Sequence, residues 1–201
     1  MDYRTYHAIN VFVFHHAWLG RSLSFLEKWA VPVYAIATAA LWLLARPGGD
    51  RKWKLASAAA LCSAGLALLV NQLIAQLWHR QRPFATHPSA HVWGNRSHDP
   101  SFPSDHASAA FAIAFAVFFF DRVVGAIFLA AAAFIAVGRV VIGAHYPADV
   151  VAGCLVGVAV ALLIARLTRP VLVIVVRMVE RLTDPLVAKV VWRRRPQPRP
   201  S

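Results

Sequence analysis

The sequence predicts an all-α, polytopic membrane helix bundle with five spanning helices, or six if the N-terminal segment also crosses, flanked by interfacial N-terminal and C-terminal amphipathic helices. Three observations predict it. Apolar residues make up 59% of the 201 residues and mean hydropathy is +0.54, a membrane rather than a soluble-core composition. The apolar residues gather into runs of roughly twenty residues, long enough to cross a hydrocarbon core. The basic residues behind the net charge of +12 lie at the ends of those runs and in the tail, not along one amphipathic face. That placement points to anionic lipid headgroups as partners and to no nucleic acid.

Residues 1–22 hold only a short apolar run, Val11 to Leu19, interrupted by His15 and His16. It is too short to span and lacks the basic leader and cleavage site of an export signal, so an interfacial or re-entrant helix is expected. The central transmembrane unit is expected over 23–169 and a cytoplasmic amphipathic helix with a basic tail over 170–201. The first span runs from about Leu23 to Ala45 and stops at the turn and charge cluster Arg46-Pro47-Gly48-Gly49-Asp50-Arg51-Lys52. The second runs from about Leu55 to Trp78. Its Asn71, Gln72 and Gln76 fall near one helical face and are expected to look inward, for interhelical hydrogen bonding or for substrate contact.

Residues 79–103 form the longest polar segment, and long ordered loops of this kind are often functional. His79, His87, His91 and His98 lie in it at spacings that match no familiar zinc site. Phe84 and Trp93 suit a membrane interface or a lipid entrance. Spans three and four, about Asp105 to Phe120 and Val123 to Ile142, are separated only by Asp121 and Arg122 and must form an antiparallel hairpin. Span five, about Ala148 to Ala165, contains Gly153 and Gly157, a small pair that admits a close neighbouring helix, in the same chain or in a second copy. Beyond it, Arg177, Glu180, Arg181, Asp184 and Lys189 interrupt every apolar run, which suits a surface-lying helix. Cys62 and Cys154 fall inside apolar spans and give no sign of a disulfide.

Alternation of the spans puts loops 79–103 and 139–147 on one face. Arg46, Arg51, Lys52, Lys54, Arg122, Arg166, Arg169 and the tail fall on the other. By the positive-inside tendency the second face is cytoplasmic and the first is outside.

The outer face carries the chemistry. Arg139, His145 and Asp149 lie in GRVVIGAHYPAD, where ionisable residues are expensive and need a reason. Arg139 offers a planar fork for phosphate oxygens, and Asp149 can hold one imidazole nitrogen of His145 so that the other faces a substrate as a nucleophile. In SFPSDHAS, small polar residues immediately precede an apolar helix whose first amides attract anions, so Ser104 and the nearby backbone, including that of Asp105, suit a phosphoryl group. His106 in the first turn can protonate a leaving oxygen. HRQRPF adds Arg82.

Arg82-Pro83, Pro103-Ser104-Asp105-His106, and Arg139 with His145 and Asp149 together resemble the three signatures of the type 2 phosphatidic acid phosphatase superfamily, over roughly residues 70 to 155. Two positions depart from it. The usual lysine seven residues before Arg82 is Ala75, for which Arg80 or His79 is a candidate replacement, and Asp105 stands where glycine is usual. NQLIAQLW before Arg82 and PSDHAS after it resemble the branch of bacitracin-resistance-type undecaprenyl diphosphate phosphatases. The resemblance implies a multi-pass protein of the bacterial cytoplasmic membrane with its site facing the periplasm or exterior. It implies His145 as nucleophile oriented by Asp149, His106 as acid, and phosphate held by Arg82, Ser104, Asp105 and Arg139, with Arg80 as a further candidate. No metal and no cofactor are implied. The expected substrate is a polyprenyl diphosphate, with phosphatidate or phosphatidylglycerol phosphate as the alternative and a lipid-binding or scramblase-like protein as the non-enzymatic one. The oligomeric state stays open.

Overall fold

The computed structural model describes residues 2–167 and 169–191, and every regular element among them is a helix. In order these are α1 (Asp2–His15), α2 (Ala17–Leu44), α3 (Lys52–Leu77), the single turn α4 (Pro83–Thr86), α5 (Asp105–Phe120), α6 (Arg122–Val141), α7 (Pro147–Leu167) and α8 (Arg169–Val190). The Arg/Pro tail expected from residue 192 onward lies outside the described residues.

α5 is the axis of the bundle and packs against α3, α6 and α7. Its composition explains the position: Ala107, Ser108, Ala110, Ala112, Ala114 and Ala116 are all buried, and small side chains let neighbouring backbones approach where no hydrophobic driving force separates helix from lipid. α7 answers with Gly153 and Gly157. A Cβ on Gly153 would sit 2.6 Å from the Ser104 carbonyl oxygen, and one on Gly157 would sit 2.8 Å from the Ala112 nitrogen. The glycine pair therefore packs within the chain. The α5–α6 hairpin turns at Asp121, whose carboxylate accepts from the Val123 and Val124 N–H groups at 3.1 Å each and caps α6.

Three helices, α3, α6 and α7, are long and apolar enough to cross a membrane; α5 is apolar but only 16 residues long. α2 has the length, 28 residues, but carries Arg21, Glu27 and Lys28 in its first half. α2 runs unbroken from Ala17 through residue 22, and α1 is a separate helix before it. α1 does not lie alone. It straps across the loops at the site end, with Tyr6 and Val13 buried, the Tyr6 hydroxyl donating to the Gly143 carbonyl, and Asn10 paired with the His91 backbone in both directions at 2.7 and 2.9 Å.

Of the three polar residues expected to look inward from α3, only Asn71 does; Gln72 and Gln76 are exposed. Asn71 donates to Asp105 Oδ1 (2.7 Å) and to Ser108 Oγ (2.9 Å), so its work is interhelical. At the opposite end α8 docks through charge as well as apolar contact: buried Lys54 meets Glu180 (3.3 Å) and Asp184 (2.6 Å), and Arg51 meets Glu180 (2.7 Å).

Candidate active site

The three polar stretches meet at one end of the bundle. Backbone bonds stitch them together: Trp93 N–H to the Ile142 carbonyl, Ser104 N–H to the Asp149 carbonyl, and Ser101 N–H to the Arg80 carbonyl. Between them lies a cavity of about 690 Å³, lined in part by Arg82, Asp105, His106, Arg139 and His145. Its size is that of a small-molecule site.

His145 is placed by the turn after α6. Gly143 adopts φ +82°, a left-handed conformation, and a Cβ there would collide with the His91 carbonyl, so the turn needs glycine. The imidazole is 2% exposed. Its Nδ1 lies 2.8 Å from the Ser101 carbonyl oxygen, which can only accept, so Nδ1 carries the hydrogen and the Nε2 lone pair is left for chemistry. Nε2 accepts from Arg82 Nη1 at 3.2 Å. Burial first, then the positive charges of Arg139 and Arg82, hold the imidazole well below its ordinary pKa of 6.5, so the ring is neutral at neutral pH.

Asp149 reaches His145 less directly than the spacing suggests, because its Oδ2 is 3.9 Å from Nδ1, beyond a hydrogen bond. The carboxylate is spent on Ser101 Oγ (2.6 Å), the Tyr146 N–H (3.0 Å) and Arg80 Nη1 (2.7 Å). It thus fixes both the segment that carries His145 and the residue whose carbonyl orients the ring. Ser101 is the residue that sequence reasoning missed; it opens the SFPSDHAS stretch but carries no periodic or motif signal of its own.

Arg82 is 8% exposed, donates to the Asp99 (2.9 Å) and Ala144 (3.3 Å) carbonyls, and has no carboxylate within ion-pair distance among the described residues. Ser104 precedes α5 and is fully buried, yet its hydroxyl caps nothing and has no partner among the described residues. Arg139 pairs with Glu27 through one nitrogen, while its buried Nε has no partner. Unpaired buried donors are costly; Arg139 lines the cavity and Ser104 lies between Pro103 and Asp105, which also line it, so the two suit an anion bound there.

Two expected phosphate contacts are placed otherwise. Arg80 points behind Asp149, held by Asp2 (2.6 Å) and Asp149 and stacked 4.1 Å over the Tyr146 ring, and does not line the cavity. Asp105 lines it, but a carboxylate bonded to Asn71 repels phosphate, which leaves only its backbone at the helix start to attract an anion. The cavity's remaining wall was not foreseen: it is α2, through Ser24, Glu27, Lys28 and Val31.

The chain is similar to known proteins. The chain is 31% identical over 193 residues to the undecaprenyl-diphosphatase BcrC of Bacillus subtilis strain 168, covering 94% of this chain and 97% of that one. It is 32% identical over 127 residues to the decaprenylphosphoryl-5-phosphoribose phosphatase of Mycobacterium tuberculosis, covering 63% and 67% respectively. The fold matches the crystal structure of the transmembrane PAP2 type phosphatidylglycerolphosphate phosphatase from Bacillus subtilis with a TM-score of 0.54 at 20% identity, over 74% of this chain and 75% of that chain. Residues 55–172 match the PAP2 superfamily, and the chain belongs to it.

Proposed function

We propose that this membrane phosphatase removes the terminal phosphate of undecaprenyl diphosphate, leaving the monophosphate and so recycling the carrier lipid. The observation that carries the chemistry is the meeting of a buried, neutral His145 with Arg82, Arg139 and His106 around one cavity, with Arg139 Nε, and Ser104 Oγ between the lining residues Pro103 and Asp105, unpaired among the described residues. The similarity to an undecaprenyl-diphosphatase over nearly the whole chain supports the substrate.

In the proposed reaction His145 Nε2 attacks the terminal phosphorus while Arg82, Arg139, Ser104 and the start of α5 hold its oxygens. The P–N bond forms as the bond to the leaving oxygen breaks, and His106, protonated when the anionic substrate is bound beside it, gives that oxygen its proton. Water then attacks the phosphohistidine, His106 takes a proton from the water, and inorganic phosphate leaves with His145 restored. Asp149 and Ser101 position the ring throughout.

The proposed topology adds α2 and α5 to the three long apolar helices, giving five crossings with the cavity outside. An outward site meets carrier lipids left there after polymer export. A cysteine at His98 and one at Asp50, both exposed, in a chain lacking Cys62 and Cys154, are expected to label from opposite sides, His98 in intact cells. Labelling of position 50 alone by an impermeant reagent inverts the topology.

The test of function is release of one phosphate from undecaprenyl diphosphate by purified protein, insensitive to chelators. If phosphatidate is hydrolysed much faster in a side-by-side kcat/KM comparison, the substrate assignment falls and the phosphatase stands. If neither is hydrolysed, the non-enzymatic reading takes its place.

A further inference from the structure

Three cations other than histidine line the cavity: Arg82, Arg139 and Lys28. The first is held by backbone carbonyls and His145, the second by Glu27. Lys28 is exposed, and among the described residues its ammonium has neither a hydrogen bond nor an ion pair. It sits on a helix face that is otherwise anchored. Ser24, Glu27, Lys28 and Val31 follow the i, i+3, i+4, i+7 pattern of one helical stripe. Ser24 donates to the Trp93 carbonyl and Glu27 pairs with Arg139, so the stripe is pinned to the site by two residues within the turn that leads into Lys28. Gly20, one turn before Ser24, lies where any Cβ would strike the Trp93 ring, which keeps that wall close.

A terminal phosphoryl group held by Arg82, Arg139 and Ser104 leaves the second phosphate of a diphosphate lipid needing a cation of its own. Val31 is the last residue of the α2 stripe to line the cavity, and beyond it Val33 and Ile36 are exposed on an apolar helix, as suits a lipid tail running alongside. The phosphate next to that tail then falls beside Lys28. Arg80, expected to stand in for the lysine absent at Ala75, is committed to Asp2 and Asp149.

Resting on the phosphatase reading above, we infer that Lys28 binds the second, non-transferred phosphate and selects diphosphate lipids over phosphomonoesters. A lysine is suited to this, because a point charge on a flexible stem can follow a leaving phosphate as charge develops on it.

The test compares kcat/KM for a prenyl diphosphate and for phosphatidate, in wild-type protein and in Lys28→Ala, Lys28→Gln and Lys28→Arg variants. Loss of one charged contact is expected to lower the diphosphate-to-monoester ratio about tenfold or more in the Ala and Gln variants, and Lys28→Arg is expected to keep most of it. Proportional losses on both substrates, or a ratio that does not change in either neutral variant, overturn the assignment of Lys28 and leave the phosphatase intact. Wild-type protein that releases phosphate from neither lipid overturns the phosphatase reading itself, and this inference with it.

Discussion

At the end of the bundle where α8 docks, the charges at the start of α3 are matched. Lys54 has two carboxylates, Arg51 has one, and Lys52 meets Asp121 at 3.1 Å. At the other end the arrangement is different. Among the described residues Arg82 has no carboxylate within ion-pair distance, Arg139 has one and an unpaired Nε, and Lys28 has none. Of the four buried side-chain polar atoms without partners among the described residues, three, on Trp93, Ser104 and Arg139, belong to this end. Both ends concentrate ionisable residues in an apolar protein, yet one is closed on itself and the other is open to an anion. Charge density alone thus does not mark a site; unmet hydrogen-bonding capacity beside a cavity does.

The largest expected effect separates the ends most sharply. His145→Ala should abolish turnover, by about 10⁴-fold or more if nucleophile and acid act as one unit, while leaving the helix content and melting of the protein intact. His106→Ala should cost about 10²- to 10⁴-fold, the usual range for a lost acid–base group. Near-normal rates in folded His145→Ala protein would remove the distinction between the ends.

Lys54→Met should do the reverse. It leaves Asp184 without its cation and Glu180 with Arg51 alone, and removing one partner of a buried pair costs about 3–5 kcal/mol. Thermal denaturation in detergent should show the loss, and kcat/KM well below the transition should stay near wild type. A fall in turnover without a fall in stability would mean that the two ends are coupled.

Much of this was legible in the sequence. The hairpin at Asp121, the inward Asn71 and the convergence of three polar stretches follow from apolar run lengths, alternation of spans and the resemblance of Arg82, Ser104, His106, Arg139, His145 and Asp149 to known signatures. What was not legible depends on contacts between segments far apart in the chain. Ser101 orients His145 through a backbone carbonyl, which any residue type possesses, so no side-chain pattern could announce it. Arg80 looked available for phosphate because Asp2, its partner, lies 78 residues away in a helix expected to rest elsewhere. The α2 stripe was hidden because Glu27 and Lys28 lie inside the run expected as the first span, about Leu23 to Ala45.

Smaller effects refine the open end. Ser101→Ala removes a 2.6 Å bond to Asp149 but keeps the carbonyl that holds His145, so kcat should fall about tenfold with KM little changed. Asp149→Asn should be worse, since it also loosens the Tyr146 and Arg80 contacts. A larger loss in Ser101→Ala than in Asp149→Asn would reverse their order of importance. The pH profile follows from burial: His145 is the nucleophile when neutral, and its pKa lies well below 6.5 in the folded protein, so the acid limb of kcat/KM due to it should lie below pH 6.5 and be absent at neutral pH. Half-loss of activity at or above pH 6.5, traced to His145, would contradict that environment.

The most direct test of the open end as a phosphate site is to trap what forms there. With a substrate radiolabelled in its terminal phosphate, rapid quenching in alkali should yield protein-bound phosphate that is stable to base and labile to acid, located on His145 by peptide mapping and absent from His145→Ala protein. Turnover at the full rate with no such phosphoprotein, or with the label on a residue outside the cavity, would contradict the account.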